Sequence, residues 1–453
     1  MLQTINPSTG QLINEYPVLT ESEIDTQIEN AQSAFLSWRS FTLEQRAAVL
    51  LKVAAVLRKN KAAIGQQMTD EMGKPVKEAG PEVEKSASCI DFYAANAEAY
   101  LADRELPSDA GLSYVKHQPL GVLLGVLPWN APLWIAFRYL TPALIAGNTC
   151  VMKHDPHVPG CAAAILDAFV EAGAPDDIVV NLPIATENVA HAIRHPAVQA
   201  VSFTGSAKAG GIVASVAAAE IKHAVLELGG SDPFIVLADA DLDAAADVAC
   251  LSRTINAGQS CIAAKRIIIE APVYEAFVEK LKQRLAKLKV GDPNQPDTDL
   301  GPIARADLRD NLHRQVQETV KQGAQLVMGG ECPEGPGFFY PVTLLADVKP
   351  GMCAFTEEVF GPVMVVCKAD DSAHALTLAN DTEYGLGAGI WSADTKAAEQ
   401  MAWQIESGQV AINGIVKTDP RLPSGGIKRS GYGRELGPHG ILEFVNAKQI
   451  WIK

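Results

Sequence analysis

The chain has no uninterrupted apolar run of the ~18 residues that a bilayer-spanning helix needs, so no membrane span is expected. It has no CxxC pair. Its cysteines (Cys89, Cys150, Cys161, Cys250, Cys261, Cys332, Cys353 and Cys367) are scattered, which excludes a zinc ribbon and argues against a disulfide framework. No basic segment followed by an apolar stretch opens the N-terminus, so no signal peptide is expected. Basic residues are in deficit, with 38 Lys plus Arg against 53 Asp plus Glu and a net charge of −15. Binding to nucleic acid or an anionic membrane needs clustered cations, so both are excluded as partners. There is no fixed-period repeat and no low-complexity tract. Together these absences point to a reducing, aqueous compartment, the cytoplasm, where a free thiol can act as a nucleophile.

Several short patterns also fail. Gly205-Ser206-Ala207-Lys208-Ala209-Gly210 opens like a phosphate-binding P-loop, but Gly211-Ile212 follows where Lys and Ser/Thr are required. His191 and His195 are four apart without the Glu of a zincin, and His154 and His157 stand alone. No metal is expected.

What is present is 453 residues, 48% of them hydrophobic, enough for two to four domains at ~150 residues each. The first hundred residues read as helices. Thr20 with Glu23, and Thr42 with Gln45, form capping-box patterns ahead of apolar residues at helical spacing. Gly73-Lys74-Pro75 stops the second helix, and a third spans about 81–100. From Gly121 short apolar runs alternate with helical stretches, the pattern of a parallel sheet covered on both faces. Nucleotides bind at the carboxyl ends of such strands. The alternation restarts after Gly229-Gly230, giving a second α/β unit. The basic helix near 274–290 reads as a solvated face, and 291–301 and 329–337 as surface loops.

Three residues have the chemistry for catalysis. Cys261 lies in a turn of small residues, Asn256-Ala257-Gly258-Gln259-Ser260-Cys261. Glu227 ends an apolar run, where desolvation raises a carboxyl pKa toward that of a general base. Asn130, after a strand, offers a side-chain amide to an oxyanion. Each alone also fits a structural role.

Over essentially its whole length the chain resembles the aldehyde dehydrogenase superfamily. The motifs, in order, are Pro128-Trp129-Asn130, Lys153, Phe203-Thr204-Gly205-Ser206, Glu227-Leu228-Gly229-Gly230 and Gly258-Gln259-Ser260-Cys261. Glu358-Val359-Phe360-Gly361-Pro362-Val363 and the segment from Gly425 to Glu435 follow. The resemblance implies that Cys261 adds to an aldehyde, that Asn130 and the Cys261 N–H hold the oxyanion, and that Glu227 activates the hydrolytic water. It implies a nicotinamide cofactor held by Lys153, Asp155, Gly205, Ser206, Glu358 and Phe360, with Trp129 close by.

It further implies an α/β fold with a Rossmann-like nucleotide-binding domain (1–101 and 119–228), an α/β catalytic domain (229–428) and an oligomerising β-flap (102–118 and 429–453). A homodimer or homotetramer is expected.

Two departures bear on specificity. Members that prefer NAD usually carry Glu three residues after the ribose-binding Lys, where this chain has Pro156. Asp155 stands one position early as a partial replacement, so the expectation is NAD or NADP, leaning to NAD. Arg138, eight residues after Asn130, resembles the substrate-carboxylate ligand of succinate-semialdehyde dehydrogenases, a role that suits a guanidinium. A second Arg of those enzymes is Ile255 here, leaving Lys417 or Arg421 to supply the cation, and Ser424 to make the pocket more polar. Oxidation of succinate semialdehyde is the expected reaction. Lactaldehyde or another small aldehyde is the alternative, followed by a cofactor-free cysteine acyltransferase or hydrolase and an inactive structural homologue.

Overall fold

The computed structural model describes residues 1–453. The expected α/β alternation is present. Val122–Leu127, Thr149–His154, Val179–Asn181, Val198–Thr204 and His223–Glu227 form parallel strands, fully or largely buried, as a sheet covered on both faces requires. Across the sheet the order runs Gly431–Tyr432, His223–Glu227, Val198–Thr204, Val122–Leu127, Thr149–His154, Val179–Asn181. The chain order therefore reverses between Val122–Leu127 and Val198–Thr204. At such a switch point neighbouring loops diverge and open a crevice above the carboxyl ends.

One core packs the helices of residues 43–101 and Pro132–Ile145 against one face of this sheet, and a smaller core fills the other face. The second α/β unit has its own core around a seven-stranded sheet, in which only Gln325–Met328 pairs antiparallel. Arg104–Glu105, Leu112–Pro119 and Val445–Ile452 make a separate antiparallel sheet.

Two differences from the sequence expectation stand out. The N-terminus is not all helix, because Leu2–Ile5 and Leu12–Tyr16 pair as a hairpin. The stretch 429–453 does not all belong to the flap. Gly431–Tyr432 pairs with Leu226 and Glu227 in the nucleotide-binding sheet, and Gly437–Leu442 packs on the helices beneath it. A two-residue strand carries no periodicity of its own, and its place is fixed by the partner strand.

Candidate active site

The carboxyl edge of the first sheet gathers the expected groups. Asn130 follows Val122–Leu127, Lys153 ends Thr149–His154, Gly205 and Ser206 follow Val198–Thr204, and Glu227 ends its strand.

Cys261 sits across the crevice in a strained turn. Asn256, Ala257 and Gly258 all have positive φ (54°, 53° and 75°). Two consecutive non-glycine residues in this region need strong support. Asn256 receives it, because its N–H donates to Glu78 Oε2 (2.8 Å) and its Nδ2 to the Asn130 carbonyl (2.8 Å). Gly258 permits close packing, since a Cβ there would lie 2.3 Å from the Gly361 carbonyl. Asn130 Nδ2 donates to Gln259 O (3.0 Å), which ties the amide to the cysteine turn. Lys74 Nζ donates to the Asn130 carbonyl (3.1 Å) and pairs with Glu82. Glu82 in turn accepts from the N–H groups of Leu133 and Trp134 (both 3.1 Å). These anchors cap the helix Pro132–Ile145 and fix the amide in place.

The pKa values follow from burial. The Cys261 thiol is pushed up to about 11, chiefly by burial, with Lys265 and Arg138 opposing. Glu227 is pushed up to about 8, first by burial and then by Glu435, with Arg138 opposing. Its Oε1 is buried without a hydrogen-bond partner within the protein. Glu227 does not line the substrate cavity. It lies behind Arg138, whose Nη2 is 3.8 Å from Glu227 Oε2.

The cavity, of about 610 Å3, is lined by Cys261, Asn130, Arg138, Trp134, Lys85, Lys417 and Thr418 among others. Arg138 is therefore at the pocket, but its Nε and Nη2 are engaged by Glu435. Lys417 lines the cavity as expected. Arg421 does not; it is exposed and paired with Asp419, two residues away. Ser424 is also absent from the wall. It is buried, and its backbone pairs with Glu435 (Ser424 N to Glu435 O 2.7 Å, the reverse 2.8 Å). Both residues leave the substrate set, because a local ion pair claims one and backbone pairing turns the other away. Ile255 lines the cavity where a second Arg was sought.

The dinucleotide edge fits its ligand. Ser206 caps the 13-residue helix Ala207–Ala219, whose N-terminal N–H groups and dipole favour a pyrophosphate. A Cβ on Gly205 would lie 2.7 Å from the Phe203 ring, so only glycine keeps that turn open. The buried hydroxyls of Ser202 and Thr204 have no partner within the protein. Burial pulls the Lys153 ammonium below its ordinary pKa, with Asp155 opposing. Glu358 Oε1 accepts from Gly230 N (3.0 Å) and lies 3.4 Å from Lys265 Nζ. Phe360 and Trp129 meet edge to face, with centroids 5.9 Å apart.

Asp155 is not a free carboxylate. His157 Nδ1 is 2.7 Å from Asp155 Oδ1, and Arg305 Nη1 is 3.9 Å from Oδ2. Burial alone would raise the Asp155 pKa, but His157 more than offsets it and the net shift is downward. Sequence reasoning missed Lys85, Thr418, Glu435, Lys265 and the Lys74–Glu82 pair. Only Glu435 carried a signal, as the last residue of the closing motif.

Comparisons agree with this geometry. The aldehyde dehydrogenase family model matches residues 1–450. A Synechocystis protein named as a probable NADP+-dependent succinate-semialdehyde dehydrogenase is 46% identical over 451 residues, covering 100% of this chain and 99% of its own. The solved succinic semialdehyde dehydrogenase of Streptococcus pyogenes, in complex with NADP+, superposes with a TM-score of 0.98 at 37% identity, covering 100% of both chains. A solved lactaldehyde dehydrogenase superposes at 0.97 with 32% identity, covering 100% of this chain and 95% of that one. The chain belongs to the aldehyde dehydrogenase family, and is an aldehyde-oxidising, NAD(P)-type oxidoreductase. No helix is long and apolar enough to cross a membrane.

Proposed function

We propose that this enzyme oxidises succinate semialdehyde to succinate with NADP+. The observation that carries the substrate is the cavity wall. In a chain of net charge −15, five cations, Lys74, Lys77, Lys85, Arg138 and Lys417, line the pocket that contains Cys261, against two carboxylates, Glu78 and Glu82. A short aldehyde with a carboxylate at its far end matches that charge distribution. The named relatives support the same substrate.

Cys261 Sγ, as thiolate after giving its proton to solvent, attacks the carbonyl carbon and forms a C–S bond while the carbonyl π pair moves to oxygen. The carbonyl oxygen becomes an oxyanion facing the Asn130 amide, which the contacts above anchor, and the Cys261 N–H. A nicotinamide dinucleotide bound at the sheet edge supplies the acceptor for the hydride released from that carbon. A thioester remains on Cys261. Glu227 then takes a proton from water, the oxygen adds to the thioester, and Cys261 leaves as thiolate.

Lys153, Ser206, Gly205 and Glu358 hold the dinucleotide in this reading, with Trp129 and Phe360 beside it. The expected lean to NAD has no support among these relatives. Pro156 removes the carboxylate that repels a 2′-phosphate, and Asp155 is occupied by its contact with His157, with Arg305 3.9 Å away. Both features favour NADP+. The exposed Leu112, Trp451 and Ile452 on the flap sheet support assembly into a dimer or tetramer, and the free cysteines suit the cytoplasm.

The test is a matrix of succinate semialdehyde, lactaldehyde, propanal and hexanal against both dinucleotides, following cofactor reduction. The highest kcat/KM is expected for the semialdehyde with NADP+. Equal rates on propanal and the semialdehyde would sink the substrate assignment.

A further inference from the structure

The cations of the cavity wall, Lys74, Lys77, Lys85, Arg138 and Lys417, are not equivalent. Arg138 is tied by Nε and Nη2 to Glu435, with Glu227 at 3.8 Å. Its charge is largely spent on the two carboxylates behind it. Lys85 is differently placed. It lies on the helix Val76–Leu101, three residues after Glu82, so both residues face the Asn130 side of the fold.

The Lys85 Nζ is half-buried at the cavity, 4.2 Å from the centroid of the Trp134 ring. Its hydrogen-bond partner is a hydroxyl, Thr418 Oγ1, at 2.9 Å. The two carboxylates that influence it through space have other partners: Glu82 pairs with Lys74 and Asp419 with Arg421. Thr418 Oγ1 also accepts from Trp134 Nε1 (2.9 Å). With both bonds accepted, the hydroxyl keeps its own proton free to donate. An ammonium has three donors, of which one is used here.

We propose that Lys85, together with the Thr418 hydroxyl, directly binds the distal carboxylate of the aldehyde substrate. This rests on the reading that the substrate carries such a carboxylate. Trp134 sets both partners: its indole N–H orients Thr418, and its ring face holds the ammonium against the wall. Residues 85 and 418 come from opposite ends of the chain, so the pair exists only in the folded protein. The distant Lys85 thereby supplies the cation that Ile255 does not.

Burial, with the charge of Arg138 adding to it, holds the Lys85 ammonium down to about 8. An anion against it favours the charged form. Binding of the semialdehyde is therefore expected to weaken as pH rises through the region above 8, where free Lys85 loses its proton.

The experiment compares kcat/KM for succinate semialdehyde and butanal in the wild type, Lys85→Met, Lys85→Arg and Thr418→Val. Losing one charge-assisted hydrogen bond corresponds to roughly 10- to 100-fold. The semialdehyde-to-butanal ratio is expected to fall by that factor in Lys85→Met, carried mainly by KM. Lys85→Arg should restore most of the ratio, and Thr418→Val should lower it by a smaller factor. The rise of the semialdehyde KM at high pH should disappear in Lys85→Met. Thr418→Val supplies the answer if Lys85→Met proves unstable by thermal melting. A wild type that does not prefer the semialdehyde over butanal refutes the carboxylated-substrate reading itself. A wild-type preference that survives in Lys85→Met or Thr418→Val, with an unchanged KM–pH profile, overturns the anchor alone.

Discussion

Replacing Glu435 with Gln should move the titration of Glu227 downward by at least one pH unit. Glu435 acts on the base in two ways: its charge raises the Glu227 pKa, and it draws the Arg138 guanidinium toward itself. Glutamine removes the charge and leaves Arg138 with Glu227 as its remaining anion, 3.8 Å away. At that separation a full charge pair is worth roughly 4 kcal/mol with an effective dielectric of ~20, or about 3 pKa units as an upper bound. Sharing of the guanidinium and water entering the site reduce this, which sets the expectation of one unit or more. Glu227 stands at about 8 in the wild type, so roughly a tenth of it is ionised at pH 7; a one-unit drop raises that to roughly a half. The acyl-enzyme should then hydrolyse faster at pH 7, although the weaker base lowers the plateau at high pH. Rapid quenching after mixing with aldehyde and dinucleotide, followed by intact mass spectrometry of the Cys261 thioester from pH 6 to 9.5, reads this directly. Arg138→Met should move the inflection upward, because two carboxylates then face each other with only the weaker influence of Arg434 opposing. An inflection that stays near 8 in Glu435→Gln, or shifts the same way in both variants, would falsify the three-residue coupling.

Other perturbations follow from single contacts. Pro156→Glu restores a carboxylate beside the adenosine ribose and should lower the NADP+/NAD+ ratio of kcat/KM by about tenfold or more, the scale of one unfavourable charge contact; an unchanged ratio would place the 2′-phosphate elsewhere. Gly425→Ala should slow thioester hydrolysis while sparing the initial burst of cofactor reduction. Gly425 has φ of 150°, and a Cβ there would lie 2.7 Å from Glu227 Oε1; a normal steady-state rate would count against this. Buried His154, 3.1 Å from the Pro132 carbonyl through Nε2, is held down to about 4. The unfolded chain binds the proton more tightly, so this stabilisation is complete above pH ~6.5 and lost as pH falls toward 4, roughly 3 kcal/mol in all. Urea midpoints between pH 7.5 and 4.5 should fall less steeply in His154→Gln, and parallel slopes would refute the assignment.

The strands of the first sheet were legible because they are buried on both faces and read as continuous apolar runs. The hairpin Leu2–Ile5 with Leu12–Tyr16 was not, since its strands are short and mostly exposed. Cys261, Glu227 and Asn130 could be picked out by local motif; the structure puts Cys261 and Asn130 on one cavity wall and Glu227 behind Arg138. Arg421 could not be excluded from sequence, because its partner Asp419 competes with any distant ligand only once the loop geometry is known. Glu435 and Lys85 act through contacts with residues 297 and 333 positions away, Arg138 and Thr418 respectively. No periodicity or spacing rule reaches that far. Arg138 shows the converse. Its residue type suggested a ligand for substrate; the structure places it in the cavity wall, with Glu435 and Glu227 as buried carboxylate neighbours that the sequence did not reveal.

The strand Gly431–Tyr432 lies against Glu227, and Ser430 O accepts from Leu228 N (3.0 Å). Gly425 and Glu435 press on the same carboxylate from that segment. A ribosome completes the nucleotide-binding strands and the reactive thiol long before it reaches these residues, and domains fold as they emerge. The nascent chain therefore holds Cys261 before Gly425 and Glu435 have reached Glu227. The segment that completes the surroundings of Glu227 continues directly into the strand Val445–Ile452. Closure around Glu227 and pairing with Leu112–Pro119 are thus consecutive events along one short stretch of chain.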